Sequence, residues 1–506
     1  MIWTIARKEF LTSLLTWRFV VSLGACVVLM GMSALVLGDD YAARVEIHRA
    51  EVSREQARLD QIKVYAQLEL YVERPPSPLS VFSEGLEKRL GNVLPFSHAH
   101  VPTMLTWRKE NSPLMDAFPA FDLATIAGLL FSLLALFLSY DAVAGEREAG
   151  TLRLIGANAI ARHEILVGKW IGGMLCAVLP ALGGYLVALA VLTIDAVHLT
   201  GADWLAALLI IAASLAYLSL FYLAGLCLSV RFRLSSTALA LGALLWAATT
   251  IVLPTVSSYL VAETMPMLTE GAAKAARKEA GERFRRQFGG INAIQAAGVG
   301  ASYHVDGTSP LGTYLTGAGL YREVVPQLQA FYAEAEPQRT LAAEEIGRFE
   351  DQVVADRVTQ VELDRLLSRV LVAPALGHAA AALAGTDLDS YQGFIAYSRR
   401  CRHDLVRFLQ EHEVFASPSF FTQDRTEELL SRAEAEARVN AHLPPKVRWP
   451  DQWTPLDHST WPGFAAYRAP VASGLGRAAV DLAILGLGNV LLLLLALRWF
   501  LRRQLV

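Results

Sequence analysis

The sequence predicts an all-α, polytopic membrane protein: six transmembrane helices carrying a large, mainly helical extracytoplasmic domain. Three observations predict it. Six apolar runs, near 19–38, 120–140, 170–194, 204–230, 235–262 and 477–497, are each long enough to cross roughly 30 Å of hydrocarbon. Lys and Arg gather at alternate ends of these runs. The two long segments left between runs are charged and rich in helix formers. Over 506 residues the chain is 54% hydrophobic and 18% charged, against the usual quarter or so charged. A net charge of −3 gives no reason to expect a nucleic-acid partner.

Residues 1–18 come first. Ile2, Trp3, Ile5, Phe10, Leu11, Leu14 and Leu15 recur at spacings of three and four beside Arg7, Lys8 and Glu9, which predicts a helix lying in the membrane interface, the alternative being that it prolongs the first span. The first span, 19–38, is too long for a signal-peptide core and no small-x-small cleavage site follows, so it is read as uncleaved.

Basic residues then set the orientation. Arg7, Lys8 and Arg18 precede the first span, and Arg147, Arg153, Arg162 and Lys169 separate the second (120–140) from the third. Arg231 and Arg233 separate the fourth from the fifth, and Arg498, Arg502 and Arg503 follow the sixth (477–497). The turn between the third and fourth spans has neither Lys nor Arg. The positive-inside rule therefore puts both termini, the tail 498–506 and the segment 141–169 in the cytoplasm. Segments 39–119 and 263–476 fall outside, and 170–262 holds spans three to five.

In 39–119, Val45, Val52, Leu59, Ile62, Leu68 and Val72 suggest helix up to Pro75-Pro76. In 263–476, Ile346, Phe349, Val353, Val358, Val361 and Leu366 suggest another, with further helices at Tyr391–Phe415 and Asp424–Val439. Trp449, Trp453 and Trp461 precede the last span and suit either the headgroup level or the core of the outer domain. Three of four cysteines, Cys26, Cys176 and Cys227, lie in apolar runs, leaving Cys401 without an intradomain disulfide partner.

The chemistry-bearing motifs are few. Gly168-Lys169 lacks the upstream glycine of a phosphate loop, no nucleophile elbow occurs, and His163-Glu164 does not continue into a zinc motif. His98/His100 and His403/His412 carry ligand atoms, but exposed or capping histidines are the commoner reading, so no metal site is expected. Ionisable residues fall at span ends (Asp122, Asp141, Lys169, Asp481), unlike ion-driven carriers, which keep such groups at mid-membrane. The energy source is expected elsewhere. Ser214, Tyr217, Thr249, Thr250 and Ser257 are the candidates for lining a substrate path; the bland alternative is helix–helix hydrogen bonding.

Glu146-Arg147-Glu148-Ala149-Gly150-Thr151-Leu152, followed by Arg162 and Gly168-Lys169, resembles the ABC-2 class of ABC-transporter permeases, though the loop before Arg162 lacks the family's frequent proline. Ala373-Pro374-Ala375-Leu376, Leu383–Asp387 and Phe394 resemble the large members with an extracytoplasmic domain of unassigned function. The resemblance implies a non-enzymatic exporter subunit in a bacterial inner (plasma) membrane, dimerising with a second copy or a paralogue. It would bind an ABC ATPase that holds ATP and magnesium, with no cofactor in this chain. Membrane lipid and an extracytoplasmic protein complete the expected partners. The implied coupling residues are Glu146, Arg147, Glu148, Gly150, Thr151, Leu152, Arg153, Arg162 and Lys169. In that picture Leu152, Leu154 and Ile155 anchor in a groove of the ATPase, charges fix register, and Gly150 bends the chain before Thr151 caps the next helix. The alternatives are an ABC-coupled mechanotransmitter acting on the outer domain, or a membrane-anchored receptor or assembly scaffold.

Overall fold

A computed structural model describes residues 1–104, 122–152, 160–194, 197, 199–264, 270–288, 304–309, 312–316, 320–369, 373–444, 446, 448 and 452–502. Among the described residues, six helices are long and apolar enough to cross a membrane. They are α2 (Trp17–Leu59), α3 (Leu123–Ser139), α5 (Arg162–Ile194), α6 (Gly201–Arg231), the pair α7 (Ser235–Ala247) and α8 (Leu253–Thr264), and α14 (Val471–Arg502). The short α1 (Ile2–Leu14) precedes them, and α4 (Ala144–Glu148) follows α3. The molecule is an all-α, multi-pass membrane protein.

α6 sits at the centre and packs against α3 and α14, while α2 packs along α5. Small residues let these helices close up, as packing in lipid requires. A methyl added at Gly184 would meet Met30 and the Cys26 carbonyl, and one at Gly225 would fall on Ser139. Two span starts carry side-chain caps that satisfy otherwise orphaned N–H groups. Asp122 accepts from the Thr125 N–H at 2.8 Å, and Thr200 and Asp203 form a reciprocal capping box ahead of α6.

The fifth span differs. Only 6% of its apolar window is buried, against 61% for α6, so it lies at the rim of the bundle. Between its halves, Ala248–Val252 widens into a π turn just before Pro254. Proline has no N–H and its ring crowds the carbonyl four residues back, which accounts for the widening at that place.

At the end of the bundle away from the chain termini a second core forms, from Ile62, Val64, Leu68, Phe96, Tyr332, Phe394, Phe420 and Trp453 among others. Here the expected helix up to Pro75-Pro76 is corrected: α2 stops at Leu59. From Ile62 to Val72 the even-numbered residues are buried, a period of two rather than 3.6. This stretch ends in β1 (Leu70–Glu73), which pairs antiparallel with β2 (Val93–Phe96), Leu70 opposite Phe96. A second ribbon joins β3 (His304–Ser309) to β4 (Gly312–Thr316).

The other helices are α9 (Glu270–Phe288), α10 (Val325–Arg369), α11 (Ala375–Ala384), α12 (Leu388–Glu411) and α13 (Arg432–Asn440). α10 is 45 residues long and begins well before the expected stripe. α13 starts at Arg432 rather than near Asp424, because Ser431 and Glu434 form a capping box there. Trp453 and Trp461 are buried in the second core, and Trp449 lies outside the described residues. α11, too short to span, inserts among α14, α6 and α3, where Ala375, Leu376, Ala379 and Leu383 are buried with the spans.

Candidate coupling site

The charged segment after α3 begins at Asp141, whose carboxylate takes a 2.7 Å ion pair from Arg18; Arg18 also donates to the Tyr140 hydroxyl at 2.9 Å. Ser229 on α6 receives both the Val143 and Ala144 N–H groups at 2.9 Å, which fastens the start of α4 to the end of the fourth span. Two of the orphan donors that every helix start carries are thereby satisfied.

Within α4 each charged side chain turns to a different helix. Glu146 accepts from Lys169 at 2.9 Å and from Lys8 at 3.2 Å; Lys169 also pairs with Glu9 at 3.1 Å. Lys169 is 1% exposed, so its charge is held by carboxylates from α1 and α4. Arg147 donates to the Phe232 carbonyl at 2.7 Å and reaches that of Val230, answering the free carbonyls where α6 ends. Glu148 receives the Ser235 N–H and hydroxyl, both at 2.8 Å, and so caps α7 from outside.

Gly150 then turns the chain at φ +74°, with its N–H bonded to the Arg147 carbonyl. That left-handed conformation is open to glycine at little cost. The Thr151 hydroxyl bonds back to the Glu146 carbonyl at 3.2 Å. Leu152 is buried in a cluster with Val143, Leu166, Leu226 and Phe500 of this same chain. Arg153, Leu154 and Ile155 lie outside the described residues. Arg162 is exposed at the start of α5 and reaches the Leu501 carbonyl at 3.4 Å.

The implied coupling residues that are described thus converge on one place, where α1, α4 and the starts of α5 and α7 meet the end of α14. Glu148, Ala149, Gly150, Thr151, Arg162 and His163 form its exposed rim. Underneath, α1 crosses α5 at close range: a methyl at Gly168 would meet Ile5, and one at Gly172 would fall on the Ala6 carbonyl and on Glu9. Sequence reasoning missed the partners Lys8, Glu9, Arg18, Ser229 and Ser235. The charges on α1 were visible, but nothing local to them points across 138 to 160 positions.

The path candidates do not converge. Ser214 is buried, bonded to Tyr185 at 2.7 Å and to the Ile210 carbonyl, and Tyr217 is buried against Phe221. Thr249 and Thr250 bond back within the fifth span, to the Leu245 and Trp246 carbonyls. Ser257 bonds to the Pro254 carbonyl and to Asp364 of α10. Among the described residues no group of three or more His, Cys, Asp or Glu side chains could hold a metal, and His98 instead bonds Glu336 at 2.8 Å.

Two curated relatives match part of the chain. Both are described as a probable ABC transporter permease protein NosY. The one from Stutzerimonas stutzeri is 40% identical over 84 residues, 16% of this chain and 30% of the relative. The one from Pseudomonas aeruginosa is 40% identical over 73 residues, 14% and 26% respectively. The chain therefore spans under a third of the length of these relatives. The family match is broader: the model of the ABC-2 family transporter proteins covers residues 3–332, and the chain belongs to that family.

Proposed function

We propose that this permease subunit couples a separate ABC ATPase, which holds ATP and magnesium, to export across a bacterial inner membrane. Both termini and the segment 141–169 face the cytoplasm in this reading, and a second permease copy or a paralogue completes the pair. The observation that carries it is the clamp on Lys169: α4 is tied through Glu146, Arg147 and Glu148 to α1, α5, α6 and α7 together. A push on the exposed rim at Glu148–Thr151 would move the ends of several spans at once. The acidic and basic groups inside the clamp act as the relay, while the rim meets the ATPase.

The test leaves the clamp intact. The double variant Ala149→Arg, Thr151→Arg alters only exposed positions. It is expected to lose the co-purifying ATPase while still inserting in the membrane and remaining monodisperse in detergent. Undiminished co-purification overturns the assignment.

A second reading, transmission of force to the domain at the far end, has its own support. Arg369 of α10 pairs with the buried Asp481 of α14 at 2.8 Å, Arg365 joins them, and Asp364 accepts from Ser258 of α8 at 3.1 Å. The last turns of α10 are thus fastened to the fifth and sixth spans. Deleting 263–476 would also pull α11 out of the bundle, so point substitution of Asp364 and Arg365 is the cleaner probe. Transport that survives with full rate in Asp364→Ala, Arg365→Gln argues against a mechanical role.

A further inference from the structure

A small cleft opens where the far domain meets the bundle. It is lined by Arg74, Asp203, Leu383, Tyr467, Arg468 and Val471, with the 75–79 proline-rich turn along one side. Its level is set by two span ends. Val471 is the first residue of α14, and Asp203 lies in the first turn of α6. Asp203 immediately precedes the fourth apolar run, which begins at 204, and Val471 stands six residues, about 9 Å of helix, before the sixth, which begins at 477, so both fall just outside the hydrocarbon, among the headgroups. The cleft therefore sits where lipid phosphates run, with Leu383 and Val471 on its apolar side.

Its polar lining is unusual for a packing defect. Arg74 is 3% exposed. Its guanidinium lies 3.8 Å over the Tyr391 ring, Nη2 donates to the Gly385 carbonyl at 2.7 Å, and Glu87 stands 3.4 Å away. Nη1 is buried with no hydrogen-bond partner. A buried donor left unmade costs about 1–3 kcal/mol in general, so such a group calls for an acceptor. Arg468 is exposed at the rim. Asp203 engages Thr200 through Oδ2 alone, at 2.9 Å to the N–H and 2.7 Å to the hydroxyl, which leaves Oδ1 for another donor.

Glu87 already neutralises the charge of Arg74, so what Arg74 offers an anion is the Nη1–H. The uncompensated positive charge is that of Arg468. One donor, one cation and one carboxylate around a volume of about 80 Å³ match a phosphodiester bearing a short ammonium arm. We infer that this cleft binds the headgroup of an aminophospholipid such as phosphatidylethanolamine. Arg74 and Arg468 hold the phosphate, Asp203 receives the ammonium, and the acyl chains descend along the bundle. This site stands apart from the ATPase-coupling reading and lies at the opposite end of the bundle.

The experiment uses the full chain, delipidated in detergent and titrated with phosphatidylethanolamine or phosphatidylglycerol under native mass spectrometry. Inorganic phosphate and glycerophosphoethanolamine serve as headgroup-only competitors. One phosphatidylethanolamine per chain is expected, held more tightly than phosphatidylglycerol. R468Q, at an exposed position, is expected to weaken it about tenfold, the scale of one charge-assisted hydrogen bond. D203N retains a capping oxygen and should erase the preference between the two lipids. R74Q should lose the retained lipid, but R468Q carries the test because Arg74 also braces the fold. Equal lipid affinity in R468Q and the parent overturns the site. Displacement of the lipid by an equal concentration of inorganic phosphate overturns it as well, making it a pocket for a soluble anion.

Discussion

Lys169 concentrates the energetics of the cluster around α4 in one side chain. Burying an ammonium costs several kcal/mol unless carboxylates surround it, and here Glu9 and Glu146 both do. Removing the lysine leaves those two carboxylates without their shared cation, and Lys8 pairs with Glu146 alone. Lys169→Met is therefore expected to cost about 3 kcal/mol, read as a lowered thermal unfolding midpoint in detergent. Adding Glu146→Leu to it should recover much of the loss, since the repulsion goes with the charge. A second residue-scale effect belongs to the far domain. Burial lowers the pKa of His100, with Arg277 and Arg402 acting the same way and Glu350 opposing. The unfolded chain then binds the proton more readily than the folded one, so stability contributed by neutral His100 falls as pH drops below about 6.5. Unfolding midpoints between pH 7.5 and 5.5 should decline in the parent and decline less in His100→Gln.

At the level of elements, the crossing of α1 over α5 depends on the absence of side chains at Gly168 and Gly172. Gly172→Val should lift α1 from α5, open Glu9 and Lys169 to water, and raise hydrogen exchange across residues 2–14. ATPase stimulation should fall with it while membrane insertion persists. Unchanged exchange in α1 would falsify the close-crossing account. The elements also show what the sequence could reveal. The six spans were legible because bilayer thickness imposes a length that composition alone reports. The stretch 62–72 was misread because positions 68 and 72 fit both a four-residue helical step and two strand steps, and only the intervening Val64, Ala66 and Leu70 break the tie. The coupling cluster was half legible: Glu146 to Leu152 and Lys169 stand out as charge and glycine between apolar runs. Their partners on α1 and α7 do not, since ion pairs closed across 138 or 160 residues leave no local pattern.

For the whole molecule, the joint between bundle and far domain is polar as well as apolar. Asp481 is fully buried in α14 and faces Arg365, Arg369 and, at 3.9 Å, His378 of α11. Asp481→Asn would strand the Arg369 guanidinium against the bundle and leave Arg365 only its 3.4 Å pair with Asp389. It is expected to cost about 3 kcal/mol and to raise hydrogen exchange in the last turns of α10, with the rest of the far domain still protected. This joint was invisible in the sequence, where Asp481 read as an ordinary helix-end charge.

One feature binds both ends of the protein more directly than any ion pair. α2 runs without interruption for 43 residues, about 64 Å, from the Arg18–Asp141 contact to the second core. Its last twenty residues stand some 30 Å beyond the first span. By simple lever geometry, rocking the span by about 10° sweeps the tip through roughly 5 Å, more than a side-chain contact tolerates. Nothing along the shaft breaks the hydrogen-bond ladder to absorb that sweep, so the far domain must either travel with the first span or repack around it.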